Sequence, residues 1–406
     1  MVIRTGDVGD ERGKLGVANF ATRLMRRGAA GKSAEVLSEE IEFLGATLSG
    51  YAEEERSIVS FNSATKHMPA VLELMAQTIL QPEFSDHEVE LSRRRSLAQL
   101  VNEFDDPDAL VDRALDRVFW GSHPYGNEMN AGRADLEAIT RADLVKFQSQ
   151  RIGPRISHLY VVGDVELDET VALAEKLFGR WSGGPAENPV TPPFGGLTRA
   201  GEVVIVDKPD QTQVQLRIAS LGAKRGHADL YPVTVMNSIL GGGFTSRLVK
   251  EVRVKRGLSY GASSEFDNLG VTGIFTISSF TKNESITELI DVALGEVAKF
   301  RKKGATASEV DTVTRYIAGL FPSKLETNDS LASLISDIES YGLQADWAEQ
   351  YRGNIASVTA AQVNAAAKKY LPDDQRVIVL VGNANQIEPR VKKYGRVSVV
   401  KQKDLE

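Results

Sequence analysis

The feature that most constrains the fold is an internal repeat that keeps one offset along the chain. Residues 140–144 read TRADL and residues 359–363 read TAAQV, and the same offset relates YVVGD at 160–164 to VLVGN at 379–383. The separation is 219 positions in both cases, because 359 − 140 and 382 − 163 give the same number. Chance similarity rarely keeps register over a helix, a loop and a strand. The sequence therefore predicts two related α+β domains of about 200 residues each.

A segment rich in glycine and proline lies between the two copies of the repeat. Residues 181–201 include the run SGGPAENPVTPPFGG, and this composition disfavours both helix and central strand. We therefore expect an N-terminal domain at 1–185, an extended linker at 186–201 and a C-terminal domain at 202–406. With 406 residues, of which 42% are hydrophobic, the chain is long enough for each domain to have its own core.

Local signals predict several elements inside the two domains. Ser33 is expected to cap a helix that ends near Gly45, and Thr306 with Glu309 has the spacing of a capping box. Residues 1–10 are predicted as the end of a strand and a turn. Apolar periodicity predicts a helix over 69–80 and strands over 159–163 and 273–277.

Charge and residue usage exclude several classes of function. The formal net charge is −7, and phosphate contacts require a concentrated basic face, so we expect no nucleic-acid partner. The chain has no cysteine, which excludes thiol catalysis, disulfides and cysteine-ligated metals. No apolar run reaches about 18 residues, so no membrane span is expected. The lack of cysteine is compatible with the bacterial periplasm or cell envelope, which we favour, and equally with the cytoplasm.

The most informative stretch for function is residues 241–266, GGGFTSRLVKEVRVKRGLSYGASSEF. Three glycines allow backbone freedom, Thr245 or Ser246 can cap a short helix, and a strand-like alternation follows the glycine at 257. Arg253 at the end of the helix and Tyr260 in the strand could direct a guanidinium and a phenol to one point. The alternative is a surface cation and an amphipathic core residue.

This stretch resembles the C-terminal half of the pitrilysin/insulinase (M16) family of zinc metallopeptidases, which includes the mitochondrial processing peptidase and two-domain bacterial homologues. The resemblance covers nearly the whole chain and implies two domains, each a mostly antiparallel sheet packed with helices. It implies that Arg253 and Tyr260 hold the backbone of a peptide substrate beside a zinc ion. It also implies one or two strands before residues 1–10, so either the N-terminal sheet is smaller or residues were removed before Met1.

The family places His-x-x-Glu-His on a helix that corresponds to residues 16–28, GVANFATRLMRRG. The two zinc-ligand positions are occupied by Asn19 and Arg23, and the general-base position by Thr22. Asn is a poor zinc ligand, Arg brings a permanent positive charge, and Thr is no base near neutral pH. Counting back from the DDP sequence at 105–107 places Gln99 or Leu100 at the distal glutamate ligand. The five histidines offer no pair at i,i+3 or i,i+4 spacing.

These residues suggest a zinc-less subunit that pairs with a zinc-bearing homologue. In this hypothesis the chain holds no cofactor, the partner carries zinc, and Arg253 with Tyr260 grips an extended peptide in a shared site. A purely structural assembly subunit is the alternative, with Arg253 and Tyr260 as a relic or a packing feature. Independent zinc peptidase activity is not expected, because three protein ligands and a base are all required.

Overall fold

The computed structural model describes residues 1–405 and contains two sheets with helices packed around them. The strands are β1 Val2–Ile3, β2 Thr47–Ala52, β3 Ser57–Asn62, β4 Ser157–His158, β5 Glu202–Asp207, β6 Gln213–Leu221, β7 Ala262–Asn268, β8 Gly273–Lys282, β9 Arg376–Gly382 and β10 Arg396–Lys401. The first helices are α1 Val17–Leu24, α2 Ala34–Phe43, α3 Met68–Leu80, α4 Asp86–Asp105, α5 Pro107–Trp120, α6 Asn127–Asn130, α7 Arg133–Ala138, α8 Arg141–Arg151 and α9 Leu167–Phe178. The later helices are α10 Leu230–Leu240, α11 Arg247–Val249, α12 Ile286–Lys303, α13 Ala307–Leu320, α14 Asn328–Ser340, α15 Trp347–Ala356, α16 Ala360–Tyr370 and α17 Ala384–Val391.

These elements form two compact units that are discontinuous in sequence. Unit 1 comprises Met1–Val101, His123–Thr191 and Leu325–Ser340, and unit 2 comprises Asn102–Ser122, Pro192–Lys324 and Tyr341–Glu406. Residues 182–197 form no helix or strand. The division into domains at 1–185 and 202–406 remains a prediction, which an experiment on chain fragments can decide.

Unit 1 is built on a four-stranded antiparallel sheet in the order β2-β3-β1-β4. Helix α1 lies against β2, and the fit is close at Gly50, where an added Cβ would approach the carbonyl oxygen of Thr22 to 2.5 Å. Helix α14 is bound to this unit by two ion pairs. Arg56 pairs with Asp337 at 2.7 Å, and Arg4 pairs with Glu339. A segment distant in sequence thus completes the unit.

Unit 2 is built on a six-stranded mixed sheet in the order β10-β5-β9-β6-β8-β7. On one face of this sheet, alternate side chains of β5, β6 and β9 pack in a hydrophobic core with side chains of α10, α12 and α16. The side chains between them are also buried, including Val379 and Val381, because α5 packs on β6 and β9. Burial on both faces explains why β5 and β9 are almost continuously apolar. The predicted α+β class, with mostly antiparallel sheets, is confirmed.

A buried cation anchors α5 in unit 2. Arg217 on β6 is 5% exposed, and its guanidinium donates to Asp112 at 2.6 and 3.0 Å and to Asp108 at 2.8 Å. Both aspartates lie on α5, so the paired charges fix this helix against the sheet. Removing one partner of such a pair costs more than losing a surface ion pair.

The two copies of the repeat adopt the same cap but differ at the strand. Thr140 caps α8 in a capping box with Asp143, and Thr359 caps α16 in a box with Gln362, as the repeat predicts. The predicted strand at 159–163 is wrong, because β4 ends at His158. The physical reason is pairing: β1 contacts β4 over two residues, whereas β9 has β5 and β6 on its two sides.

None of the helices within residues 1–405 is both long and apolar enough to cross a lipid bilayer.

Candidate functional site

The loop before Arg253 is shaped by close packing. An added Cβ at Gly241 would lie 2.4 Å from the backbone nitrogen of Ser264 and 2.5 Å from its Oγ. Asn237 and Ser264 brace the same place, since the Asn237 side chain donates to the Ser264 carbonyl at 2.9 Å and accepts from its Oγ at 2.7 Å. Gly241 has φ −153°, outside the left-handed region that favours glycine. Its close approach to β7 leaves no room for a side chain at this position.

A short helix and a π-helix then present Arg253. Ser246 caps α11, as one of the two predicted caps, because its Oγ accepts from the amide of Val249. The helix continues as a π-helix over Lys250–Lys255, a conformation that occurs often at functional sites. Gly257, with φ +61°, ends it, and only glycine adopts this conformation at little cost. Arg253 therefore lies on the last turn, next to a sharp change of chain direction.

Three cations lie near the end of the π-helix, and Glu251 binds two of them. The Glu251 side chain is 13% exposed and accepts from Lys255 at 2.5 Å and from Arg256 at 3.1 Å. Its hydrogen bond to Lys255 lowers the pKa of the Glu251 carboxyl, and the charges of both cations act in the same direction. In the part of the chain that the structure describes, Arg253 forms no ion pair; its Cζ lies 5.1 Å from the ring centroid of Phe244.

Tyr260 follows the turn at Gly257 and lies outside any strand. The predicted strand placement is wrong, since β7 begins at Ala262, and Tyr260 is 83% exposed. The amide of Gly261 bonds the Ser259 hydroxyl at 3.2 Å, which makes a local turn in place of strand pairing. The exposure contradicts the reading of Tyr260 as a core residue. Arg253 on the π-helix and Tyr260 after the turn at Gly257 are thus two accessible donors of unit 2, and their role in binding a substrate remains a prediction.

Helix α1 of unit 1 carries the three positions predicted to correspond to a zinc motif. Asn19 is half-buried, Arg23 is exposed, and Thr22 is fully buried with its hydroxyl donating to the carbonyl oxygen of Ala18 at 2.8 Å. Burial lowers the pKa of Arg26, and the charges of Arg27 and Arg23 add to the effect. The end of this helix is therefore electropositive.

The side chains on α1 do not fit zinc. Zinc sites use imidazole, thiolate or carboxylate donors, and here an amide, a bonded hydroxyl and a guanidinium occupy the predicted positions. Gln99, the proposed distal position, is exposed on α4, and its alternative Leu100 is buried. Within residues 1–405, no group of three or more histidine, aspartate or glutamate side chains is arranged to hold a metal ion. The three side chains at the predicted positions thus do not form a donor set of the kind that holds a catalytic zinc.

Asp10 holds the start of α1 in place, a role that the sequence did not reveal. Its carboxylate accepts from the amides of Gly16 at 2.9 Å and Ala18 at 3.2 Å. Burial raises the pKa of Asp10 to about 6, and the bonds from Ala18 and Gly16 and the charge of Arg151 oppose that effect. The aspartate lies six residues before Gly16, which occupies the usual capping position, so a local capping pattern could not identify it.

Phe244 and Glu251 were also missed as site residues. Phe244 reads as a surface residue in a glycine-rich loop, and Glu251 reads as one of many charges. A signal for Glu251 was present in the sequence, because Lys255 follows at i+4 spacing. The contact between Phe244 and Arg253 depends on the π-helix, which apolar periodicity does not predict.

Comparisons with known proteins agree with this description. A model described as Insulinase (Peptidase family M16) matches residues 1–131, and a model described as Peptidase M16 inactive domain matches residues 138–316. A Mycobacterium tuberculosis protein described as an uncharacterized zinc protease is 28% identical over 362 residues, covering 88% of this chain and 81% of that protein. A crystal structure of a peptidase M16 inactive domain from Pseudomonas fluorescens matches with a TM-score of 0.88 and 27% identity, over 94% of this chain and 91% of that chain.

A second solved structure supports the fold alone. The crystal structure of a protease from Helicobacter pylori matches with a TM-score of 0.85 and 20% identity, over 94% of this chain and 92% of that chain.

Proposed function

Because the chain belongs to peptidase family M16 and matches that family's two domains in order, we propose that it is the non-catalytic subunit of a heterodimeric zinc peptidase. In this proposal a zinc-bearing M16 homologue supplies the metal and the general base. This chain supplies Arg253 and Tyr260, which hold the backbone of an extended peptide. No cofactor is needed in this chain.

One contrast carries the proposal. The positions on α1 that would hold zinc have lost donor chemistry, while Arg253 and Tyr260 keep donors that are exposed to an incoming ligand. A guanidinium and a phenol need no metal to act. Arg253 can donate to a peptide carbonyl, and Tyr260 can donate to the carbonyl oxygen on which negative charge develops during attack. Both groups act by position, so they can serve a reaction whose zinc belongs to another chain.

The charges on the same turn support Arg253 over its neighbours. Glu251 binds Lys255 and Arg256, and this leaves Arg253 with its positive charge uncompensated. A cation already paired to a carboxylate gains little from a peptide carbonyl, whereas an unpaired guanidinium gains a charge-assisted hydrogen bond. The turn therefore separates structural cations from one available for binding.

The proposal is tested by purifying this chain with a zinc-bearing M16 homologue from the same organism. An unstructured peptide is assayed with each chain alone and with both, and zinc is measured in each. We expect hydrolysis from the mixture and zinc in the partner. We expect Tyr260→Phe to lower kcat/KM of the mixture by about 10²-fold, as loss of a transition-state donor does. We expect Arg253→Ala to lower it by about 10- to 100-fold, mainly through a higher KM, as loss of a charge-assisted hydrogen bond to the bound peptide does. Lys255→Ala removes a cation of the same turn that Glu251 already binds, and it serves as the matched control.

Two results would contradict the proposal. A mixture in which Arg253→Ala and Tyr260→Phe hydrolyse the peptide like the parent pair would remove the substrate-holding role. Absence of any complex, with no gain in activity on mixing, would instead favour a structural subunit with no part in proteolysis.

A further inference from the structure

The position of the Arg253 guanidinium needs an explanation, because this side chain is exposed and has no ion-pair partner within the described residues 1–405. A long exposed side chain normally samples many rotamers, and each contact that orders it must overcome that entropy. The Arg253 guanidinium lies over the ring of Phe244, whose centroid is 5.1 Å from Cζ. This distance is within the range in which a cation is attracted to the face of an aromatic ring.

Phe244 is itself unusual, because 77% of its side chain is exposed. A large aromatic side chain gains nothing from the core in that position. It lies in the loop between Gly241, which packs closely on β7, and Ser246, which caps α11. The ring lies beside the last turn of the π-helix, with its centroid 5.1 Å from Cζ of Arg253.

The backbone that carries both residues is held firmly at its base. Arg247, the first residue of α11, donates to Glu309 at 2.8 and 2.9 Å and to the carbonyl oxygen of Gly304 at 2.9 Å. The Arg247 guanidinium also lies over the ring of Phe300, with Cζ 4.4 Å from the centroid. These contacts fix the start of the helix whose end carries Arg253.

Competition for the Phe244 ring is limited by Glu251. Lys255 and Arg256 lie on the same turn, and both are bound to the Glu251 carboxylate. Each therefore has a stronger partner than a neutral ring. The arrangement gives Glu251 two cations and gives Phe244 the third.

We propose that Phe244 is a positioning residue that holds the guanidinium of Arg253 ready for a peptide carbonyl. This inference rests on the proposed function of Arg253. The ring restricts the rotamers of Arg253 before substrate arrives, so less entropy is lost when the peptide binds. The ring leaves the N–H donors at the edge of the guanidinium plane available for hydrogen bonds, unlike a carboxylate, which would occupy them.

The test uses the heterodimer and three substitutions at one position. Phe244→Ala removes the ring, Phe244→Leu keeps apolar bulk without an aromatic face, and Phe244→Tyr keeps the face. We expect Ala and Leu to lower kcat/KM by about two- to fivefold, the range for an exposed cation–ring contact. The loss should appear mainly as a higher KM, because Arg253 grips the peptide in ground state and transition state alike. Phe244→Tyr should retain the parent value.

A double-mutant cycle separates positioning from direct contact with substrate. If Phe244 acts through Arg253, then Phe244→Ala has no further effect in the Arg253→Ala chain. An equal loss in both backgrounds would overturn the inference. If Arg253→Ala lowers activity and Phe244→Ala and Phe244→Leu do not, the positioning role fails while the proposed function stands. If Arg253→Ala has no effect, the proposed function fails first.

A second measurement needs neither partner nor substrate. In the isolated chain, the NMR signals of the Arg253 side-chain protons should be shifted upfield by the Phe244 ring. The shift should be lost in Phe244→Leu and kept in Phe244→Tyr. Unshifted signals in the parent chain would overturn the contact itself.

Discussion

Thr22, which occupies the predicted general-base position, shows at the scale of a single residue how a buried hydroxyl is bonded within its own helix. A buried hydroxyl must satisfy its hydrogen-bonding capacity, and this one donates to the carbonyl oxygen of Ala18 within its own helix. A general base at this position would instead need an open approach to water. Close contact between the Thr22 carbonyl and Gly50 of β2 leaves no such space on that side. The Thr22 residue is therefore part of the packing of unit 1.

Asp7 carries the first prediction, which concerns stability against pH. The side chain is 2% exposed, and neither carboxyl oxygen has a hydrogen-bond partner in the described part of the chain. Burial raises the pKa of Asp7 to about 9, and the charges of Glu54, Glu128 and Asp10 act in the same direction while Arg151 opposes them. The folded protein thus keeps a proton that the unfolded chain releases above a pH of about 4.

The sign of the effect follows from proton binding. Between those two pKa values Asp7 binds one more proton in the folded state than in the unfolded state. Its contribution to the free energy of unfolding therefore falls by about 1.4 kcal/mol for each pH unit of increase. Asp7→Asn keeps the shape and removes the titration, so we expect a higher urea midpoint than the parent at pH 8 and a smaller difference at pH 6. Exposed Asp210→Asn is the control. Equal pH slopes for Asp7→Asn and the parent chain would contradict the prediction.

The loop and π-helix around Arg253 carry a prediction at the scale of an element. Gly241 and Gly243 belong to the same glycine run, but an added Cβ meets Ser264 at 2.4 Å in the first case and nothing closer than 3.6 Å in the second. We therefore expect Gly241→Ala to lower the free energy of unfolding by about 1–3 kcal/mol, the usual cost of overpacking. Gly243→Ala should change it little.

Denaturant unfolding of both alanine variants measures this difference directly. The activity of each variant in the heterodimer adds a second reading, because a shifted loop displaces Arg253. If the two alanines destabilise the chain equally, backbone flexibility of the run matters more than close approach to β7, and our explanation of Gly241 is wrong.

Which elements could be predicted from the sequence depends on how local their causes are. The cap at Thr306, which the sequence predicts, depends on two side chains three residues apart. The caps at Thr140 and Thr359 have the same local cause. The prediction of a strand at 159–163 was wrong, because a strand depends on neighbouring strands that are distant in the chain. The prediction that Tyr260 lies in a strand was also wrong. The π-helix and the turn at Gly257 delay the start of β7 to Ala262, although the alternation of side chains favours a strand earlier. Arg253 and Tyr260 were proposed from a resemblance, but the contact between Arg253 and Phe244 could not be predicted from the sequence.

At the scale of the whole molecule, each compact unit contains a segment from the other half of the sequence. Unit 1 includes α14, whose Asp337 and Glu339 pair with Arg56 and Arg4. Unit 2 includes α5, which covers one face of β6 and β9. An internal duplication predicts two similar halves, but it carries no information on segments exchanged between them. The repeat therefore indicates the architecture and not the boundaries of the folding units.

The exchanged segments lead to a prediction about fragments 1–191 and 192–406. Without α5, fragment 192–406 exposes Val379 and Val381 to water and separates Arg217 from Asp108 and Asp112. Newly exposed apolar surface favours aggregation. A helix that covers Arg217 again but lacks the two aspartates would leave a buried charge unpaired, which is strongly destabilising. We expect this fragment alone to be aggregated or to unfold without a cooperative transition. Adding a synthetic peptide of residues 102–122 should restore a cooperative transition, and the same peptide with Asp108→Ala and Asp112→Ala should restore less. Cooperative unfolding of 192–406 without any peptide would show that the domains predicted at 1–185 and 202–406 fold independently, and that α5 is dispensable for the second.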